Sequence, residues 1–310
     1  MKITAILLLF LVVISASAKE YRLYYLGGQS NMDGFGYTKE LPSELINPLP
    51  GVVIFHGNPA ADNTPVDGRG IWEPLKPGHG DGFSSDGKLN NLSDRFGLEL
   101  TFARRLQELN PGQPIAILKY SRGGTSIDTA AAGEYGCWDP DFSKGNGVNQ
   151  YDHFLAAINY AFSVKDIDGD GEKDSLIPTG IFWMQGESDA CFGEEIAQKY
   201  QANLKRMMDL LRAALRSDDL PVVIGRISDS GRDPSGKVWP QGEIVRQAQA
   251  EFVKQDGNAT LVISTDKYGY SDPWHYDSAG YLDLGRQFAE AVYELLKKNH
   301  RKADLFREKR

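Results

Sequence analysis

The chain has 310 residues, a formal net charge of −8 and a pI near 5.2. That acidity argues against a nucleic-acid partner, which favours a basic face. It leaves enzymes and binders of neutral ligands open, and the length allows one large α/β domain.

Residues 1–18 carry a positive start (Lys2), a short apolar run (Ile3 to Ile14) and an Ala16-Ser17-Ala18 cleavage pattern. This reads as a secretory signal peptide. The run is shorter than the roughly 20 residues that span a bilayer. No other segment is apolar enough to do so. The expectation is a secreted or periplasmic protein, with no membrane association once the signal is removed. Residues 19–310 then form a single domain.

Arg22 to Leu26 predicts a first strand, ending at Gly27-Gly28-Gln29-Ser30-Asn31-Met32. Val52 to Phe55 predicts a short second strand. Asn58 to Asn91, rich in Gly, Pro, Asp and Asn, predicts a long surface excursion. Phe96 to Leu109 has helical apolar spacing and stops at Asn110-Pro111-Gly112. Ile115 to Leu118 is a buried-strand run before Arg122-Gly123-Gly124. Tyr151 to Val164 predicts a helix. Ile181 to Met184 is a strand before Gln185-Gly186-Glu187-Ser188-Asp189. Glu194 to Leu215 is a long helix, Val222 to Ile227 a strand, Glu243 to Val253 a helix and Thr260 to Ser264 a strand. Ser278 to Lys297 is the last helix, and the basic stretch beyond is a solvated end. Strands alternating with helices predict a parallel sheet covered on both faces. Ligands bind beyond the carboxyl ends of such strands.

Three of those strand ends, and the segment before the last helix, carry chemistry. A nucleophilic serine needs a base, and the base needs a carboxylate to fix its tautomer. Ser30 sits just past the first strand. Of the five histidines, His275 alone has an acid three residues earlier, Asp272, beside a long helix. An oxyanion needs donors. The Ser30 N–H, a Gly123 N–H and the Gln185 side chain are the candidates. Taken singly, Ser30 is also a helix-cap serine and His275 an ordinary loop histidine.

These blocks, in this order, resemble those of the SGNH hydrolase superfamily. More narrowly they resemble the sialate O-acetylesterase-like group and carbohydrate esterase family six, which includes acetylxylan esterases. Gln185 stands where most of the superfamily has Asn, and the narrower group shares the Gln. Phe96-Gly97-Leu98-Glu99 resembles a further family segment. The resemblance implies a flavodoxin-like three-layer α/β/α sandwich and hydrolysis of acetyl esters on a glycan. It implies Ser30 as nucleophile, His275 as base, Asp272 as its orienting acid, and Ser30, Gly123 and Gln185 as the oxyanion hole. Gln29, Asn31 and Glu187 are expected to support the site. Glu187, the other acid available to His275, is expected to hold its loop by hydrogen bonds. Arg122, Trp138 and Trp274 are the expected substrate contacts. No cofactor is expected for catalysis. A lipase or thioesterase of the same superfamily is the alternative enzyme. A non-catalytic, calcium-stabilised carbohydrate-binding protein is the alternative of another class.

Asp166, Asp168, Asp170 and Asp174 alternate as in a calcium loop, with Gly171 at the turn and the Glu172 carbonyl as a further oxygen. The twelfth position is Ile177, so the bidentate Glu of an EF-hand is missing. The expectation is a short insertion, 166–174, holding a structural calcium ion. Cys137 and Cys191 leave a disulfide or two free thiols equally open.

Overall fold

The computed structural model describes residues 18–61, 64–143 and 149–308, so the signal-peptide reading falls almost entirely outside the described residues. The main sheet has seven strands: β1 (Glu20–Gly28), β2 (Val52–His56), β3 (Trp72–Pro74), β4 (Ile115–Ser121), β5 (Ser175–Met184), β6 (Val222–Gly225) and β7 (Ala259–Val262). Their order is β7-β6-β5-β1-β4-β2-β3, parallel except for β3, which pairs antiparallel with β2.

β1 lies at the centre and is buried on both faces, as its apolar run requires. Successive residues on it point to opposite layers. Tyr24 meets Phe102 of helix α2 (Glu99–Leu109), and through Phe182 the same layer reaches Phe288 of α7 (Ser278–Glu308). Tyr25 meets Phe154 of α3 (Gln150–Ser163) on the other face. That layer continues with the short α4 (Glu187–Cys191), α5 (Glu194–Ala214) and α6 (Gly242–Asp256), which pack on one another. Tyr151 of α3 donates to the Leu210 carbonyl of α5. The architecture is the expected three-layer α/β/α sandwich with a mostly parallel sheet.

Register decides where the site forms. Gly28, the last residue of β1, lies beside Ser121 at the end of β4 and Met184 at the end of β5. Three strands therefore finish level, and the chain leaves β1 with β4 on one side and β5 on the other. This is the switch point at which open α/β sheets hold ligands. Gly28 has φ +139°, and a Cβ there would lie 2.0 Å from the Met184 carbonyl oxygen. Only glycine fits that crossing.

The expected surface excursion over Asn58 to Asn91 is a correction. It supplies edge strand β3 and buries Leu75, His79 and Phe83. Among the described residues, no helix is long and apolar enough to cross a membrane.

Candidate active site

Ser30 opens a one-turn helix, α1 (Ser30–Asp33), directly after β1. The turn is held from below. Lys119 of β4, fully buried, donates to the Asp33 carbonyl at 2.8 Å, the His79 carbonyl at 2.7 Å and Glu99 Oε2 at 2.9 Å. All three ammonium hydrogens thus have acceptors, which a buried cation requires. Glu99 also accepts from the Gly97 N–H at 2.9 Å.

His275 lies in the loop before α7. Its Nδ1 is 2.7 Å from Asp272 Oδ2. Asp272 Oδ1 accepts from the backbone N–H groups of Trp274 and His275 at 2.7 and 2.8 Å. Burial pushes the Asp272 carboxyl up, but these bonds outweigh it and hold it below the ordinary carboxylate range. With Nδ1 bound to Asp272, Nε2 is the ring nitrogen left for the cavity. Phe35 stacks on the imidazole, with ring centroids 3.6 Å apart.

Ser30 and His275 line one cavity of about 840 Å³, with Gln29, Asp33, Gly123 and Arg122 also in its wall. Gly123 approaches so closely that a Cβ there would lie 3.2 Å from Ser30 Cβ. The Arg122 N–H donates to the Gly28 carbonyl at 3.1 Å, tying the ends of β4 and β1. The Arg122 guanidinium lies over Tyr135, 5.7 Å from the ring centre.

Asn31 joins the blocks. Its Nδ2 donates to Glu187 Oε1 at 2.9 Å and to the Trp274 carbonyl at 3.2 Å. Its Oδ1 accepts from the Tyr281 hydroxyl at 2.8 Å. Glu187 is buried on Asn31, and burial raises its carboxyl. Asp272, rather than Glu187, is the acid on His275.

Two expected roles meet a different geometry. Gln185 is fully buried and absent from the cavity wall. Its Nε2 donates to the Thr125 carbonyl at 3.1 Å and Asp189 Oδ2 at 2.6 Å. Trp138, expected to touch substrate, is also fully buried. It packs edge-on against Trp183 and donates to Thr125 Oγ1 at 2.9 Å. It is a core residue. Trp274 is half exposed and does line the cavity. Phe35, Asp33, Tyr135 and Trp239 line it as well and were not singled out as site residues from the sequence. The Gly-rich turn around Ser30 was the available signal for the first two. Cys137 and Cys191 are free, one buried and one exposed.

In the acidic loop, Asp166, Asp168 and Asp174 bring one carboxylate oxygen each within 4.8 Å of one another. An all-oxygen set of this kind fits a hard cation. Asp170 and Glu172 stand outside that group. Lys19 Nζ pairs with Asp168 and, at 2.6 Å, with Asp170. The Tyr21 hydroxyl donates to Asp168 at 2.7 Å. A lysine ammonium therefore already offsets part of the loop's charge.

By class the chain is a carboxylic ester hydrolase. It belongs to the family described as carbohydrate esterase, sialic acid-specific acetylesterase, whose model matches residues 20–294. This agrees with the resemblance carried by the sequence blocks. Three solved structures share the fold at a TM-score of 0.59. A protein from Arabidopsis thaliana is 19% identical over 90% of this chain and 99% of its own. NanS is 16% identical over 92% and 100%. A carbohydrate acetylesterase from Xanthomonas citri is 17% identical over 88% of this chain but only 56% of its own. Among curated proteins no match is found.

Proposed function

We propose that this protein is an exported serine esterase that removes O-acetyl groups from carbohydrates, using Ser30, His275 and Asp272. The observation that carries the reading is the 2.7 Å contact of Asp272 with His275 Nδ1, with Ser30 and His275 in one cavity wall. The family supports an acetylated carbohydrate as substrate.

In this reading His275 Nε2 takes the Ser30 hydroxyl proton as Oγ bonds to the acetyl carbon. Asp272 holds the ring in the correct tautomer and stabilises the imidazolium. The carbonyl oxygen becomes negative and is met by the Ser30 and Gly123 N–H groups. The sugar oxygen leaves with the proton from His275. Water, activated by the same base, then releases acetate and restores Ser30. No cofactor takes part. The acidic loop would hold calcium through Asp166, Asp168 and Asp174, remote from these steps. The pattern in residues 1–18 supports export.

The test is acetate release from a panel of acetylated polysaccharides and acetylated sialic acid. Wild type is expected to release acetate. Ser30→Ala and His275→Ala are each expected to lose about 1,000-fold or more in kcat. Full activity in folded Ser30→Ala would rule the nucleophile out. Faster turnover of long acyl esters than of acetyl esters would favour a lipase or thioesterase.

A further inference from the structure

Two backbone donors flank the reacting carbonyl in this reading, those of Ser30 and Gly123. The side chain expected to join them is already committed. An amide nitrogen has two hydrogens. Both of those on Gln185 are used, on Thr125 and Asp189. Its oxygen accepts from the Tyr200 hydroxyl at 3.0 Å.

A second amide sits beside the nucleophile. Gln29 is only 3% exposed, yet it forms part of the cavity wall. Its Oε1 accepts from the backbone N–H of Gly186 at 3.2 Å and of Ser188 at 3.4 Å. Those bonds fix which end of the amide is which, and leave Nε2 on the opposite side. Among the described residues Nε2 has no protein acceptor. It is not among the buried atoms sealed without a partner. A nearly buried side chain with two unfilled donors is costly unless something in the cavity accepts from them.

We propose that Gln29 Nε2 supplies the third donor to the oxyanion, the role expected of Gln185. This rests on the esterase reading above. The same side chain then does two things. Its oxygen anchors the Gly186 loop, and its nitrogen stabilises charge that exists only in the transition state and the tetrahedral intermediate.

Two variants separate these tasks. Gln29→Glu keeps an acceptor for Gly186 and Ser188 but has no donor when ionised. Gln29→Met has neither group and adds no charge. With p-nitrophenyl acetate, both are expected to lower kcat by about 100-fold or more, with KM within about threefold of wild type. Affinity for a boronic acid that forms a tetrahedral anion on Ser30 should fall in parallel. A drop in melting temperature is expected for both variants, from the lost acceptor in the Met variant and from the buried carboxylate in the Glu variant. Either variant, folded and within about threefold of wild-type kcat, overturns the proposal while the esterase reading stands. Wild type without esterase activity, or unchanged activity in Ser30→Ala, overturns both.

Discussion

The Phe35 ring lies parallel to the His275 imidazole, with centroids 3.6 Å apart and planes 2° from parallel. Asp272 fixes the edge of the same imidazole through Nδ1. One contact sets the ring's position in its plane, and the other sets the plane. Phe35 comes from the segment after Ser30, so the loop that carries Ser30 also holds the His275 ring. Phe35→Ala should free the ring and lower kcat about tenfold, because small misplacements of a catalytic group are costly. Phe35→Tyr keeps a flat ring and should stay near wild type. Steady-state kinetics on p-nitrophenyl acetate decide this, and an unchanged Ala variant would remove the positioning role.

Asp33 closes the turn that Ser30 opens, and burial raises its carboxyl from 3.8 to about 6, although Lys119 and Arg122 pull it down. An acid raised in the folded state keeps a proton there that the unfolded chain has released. Stability therefore falls as pH rises from about 4 to about 6, and stays lowered above that. Asp33→Asn removes this dependence. Its gain in unfolding free energy over wild type should be near zero at pH 4 and reach at most about 3 kcal/mol at pH 7. Denaturant titrations at both pH values measure the gap. A gap of the same size at both would refute the buried ionisation.

The sheet was readable because its central strands are unbroken apolar runs, as in Tyr24 to Leu26 and Ile115 to Leu118, which only a doubly covered parallel strand needs. Ser30, Gly123, Asp272 and His275 were readable because each follows a strand or precedes the last helix. Strand β3 was not. It has three residues, one of them Pro74, inside a stretch dominated by turn formers. Trp138 looked like a loop aromatic. The loop is drawn inward by Cys137, which bridges to Ser126 and Asn149. The direction of the Gln185 amide depends on Asp189 and Tyr200, four and fifteen residues later. No local pattern reveals which acceptor such a side chain will choose. The stacking of Phe35 on His275 joins positions 240 residues apart and has no sequence signal at all.

Lys19 and a calcium ion would compete for the Asp168 carboxylate. Calcium that binds only the folded state stabilises it by about 2.7 kcal/mol at a hundredfold excess over Kd. Added calcium should raise the melting temperature and a chelator should lower it, with kcat nearly unchanged while the protein stays folded. Lys19→Met should enlarge the calcium-dependent rise, because the competing ammonium is gone. Asp168→Ala with Asp170→Ala should abolish it. Thermal melts with and without calcium test this. Absence of any calcium shift in both wild type and Lys19→Met would leave an acidic loop neutralised by lysine alone.

Trp274 is half exposed beside His275, while its carbonyl is pinned by Asn31. The backbone is therefore fixed independently of the indole, and the ring lines the cavity half exposed. An exposed aromatic face at a cavity mouth offers a stacking surface for a sugar ring. A small aryl acetate reaches Ser30 without needing it. Trp274→Ala should raise KM for an acetylated oligosaccharide about tenfold, and leave kcat/KM for p-nitrophenyl acetate within about threefold. Trp138→Phe is the matched control. It removes a buried indole and its bond to Thr125, so it should lower the melting temperature and leave KM for the oligosaccharide alone. Equal losses on both substrates for Trp274→Ala would mean that the indole shapes the His275 loop instead of binding sugar.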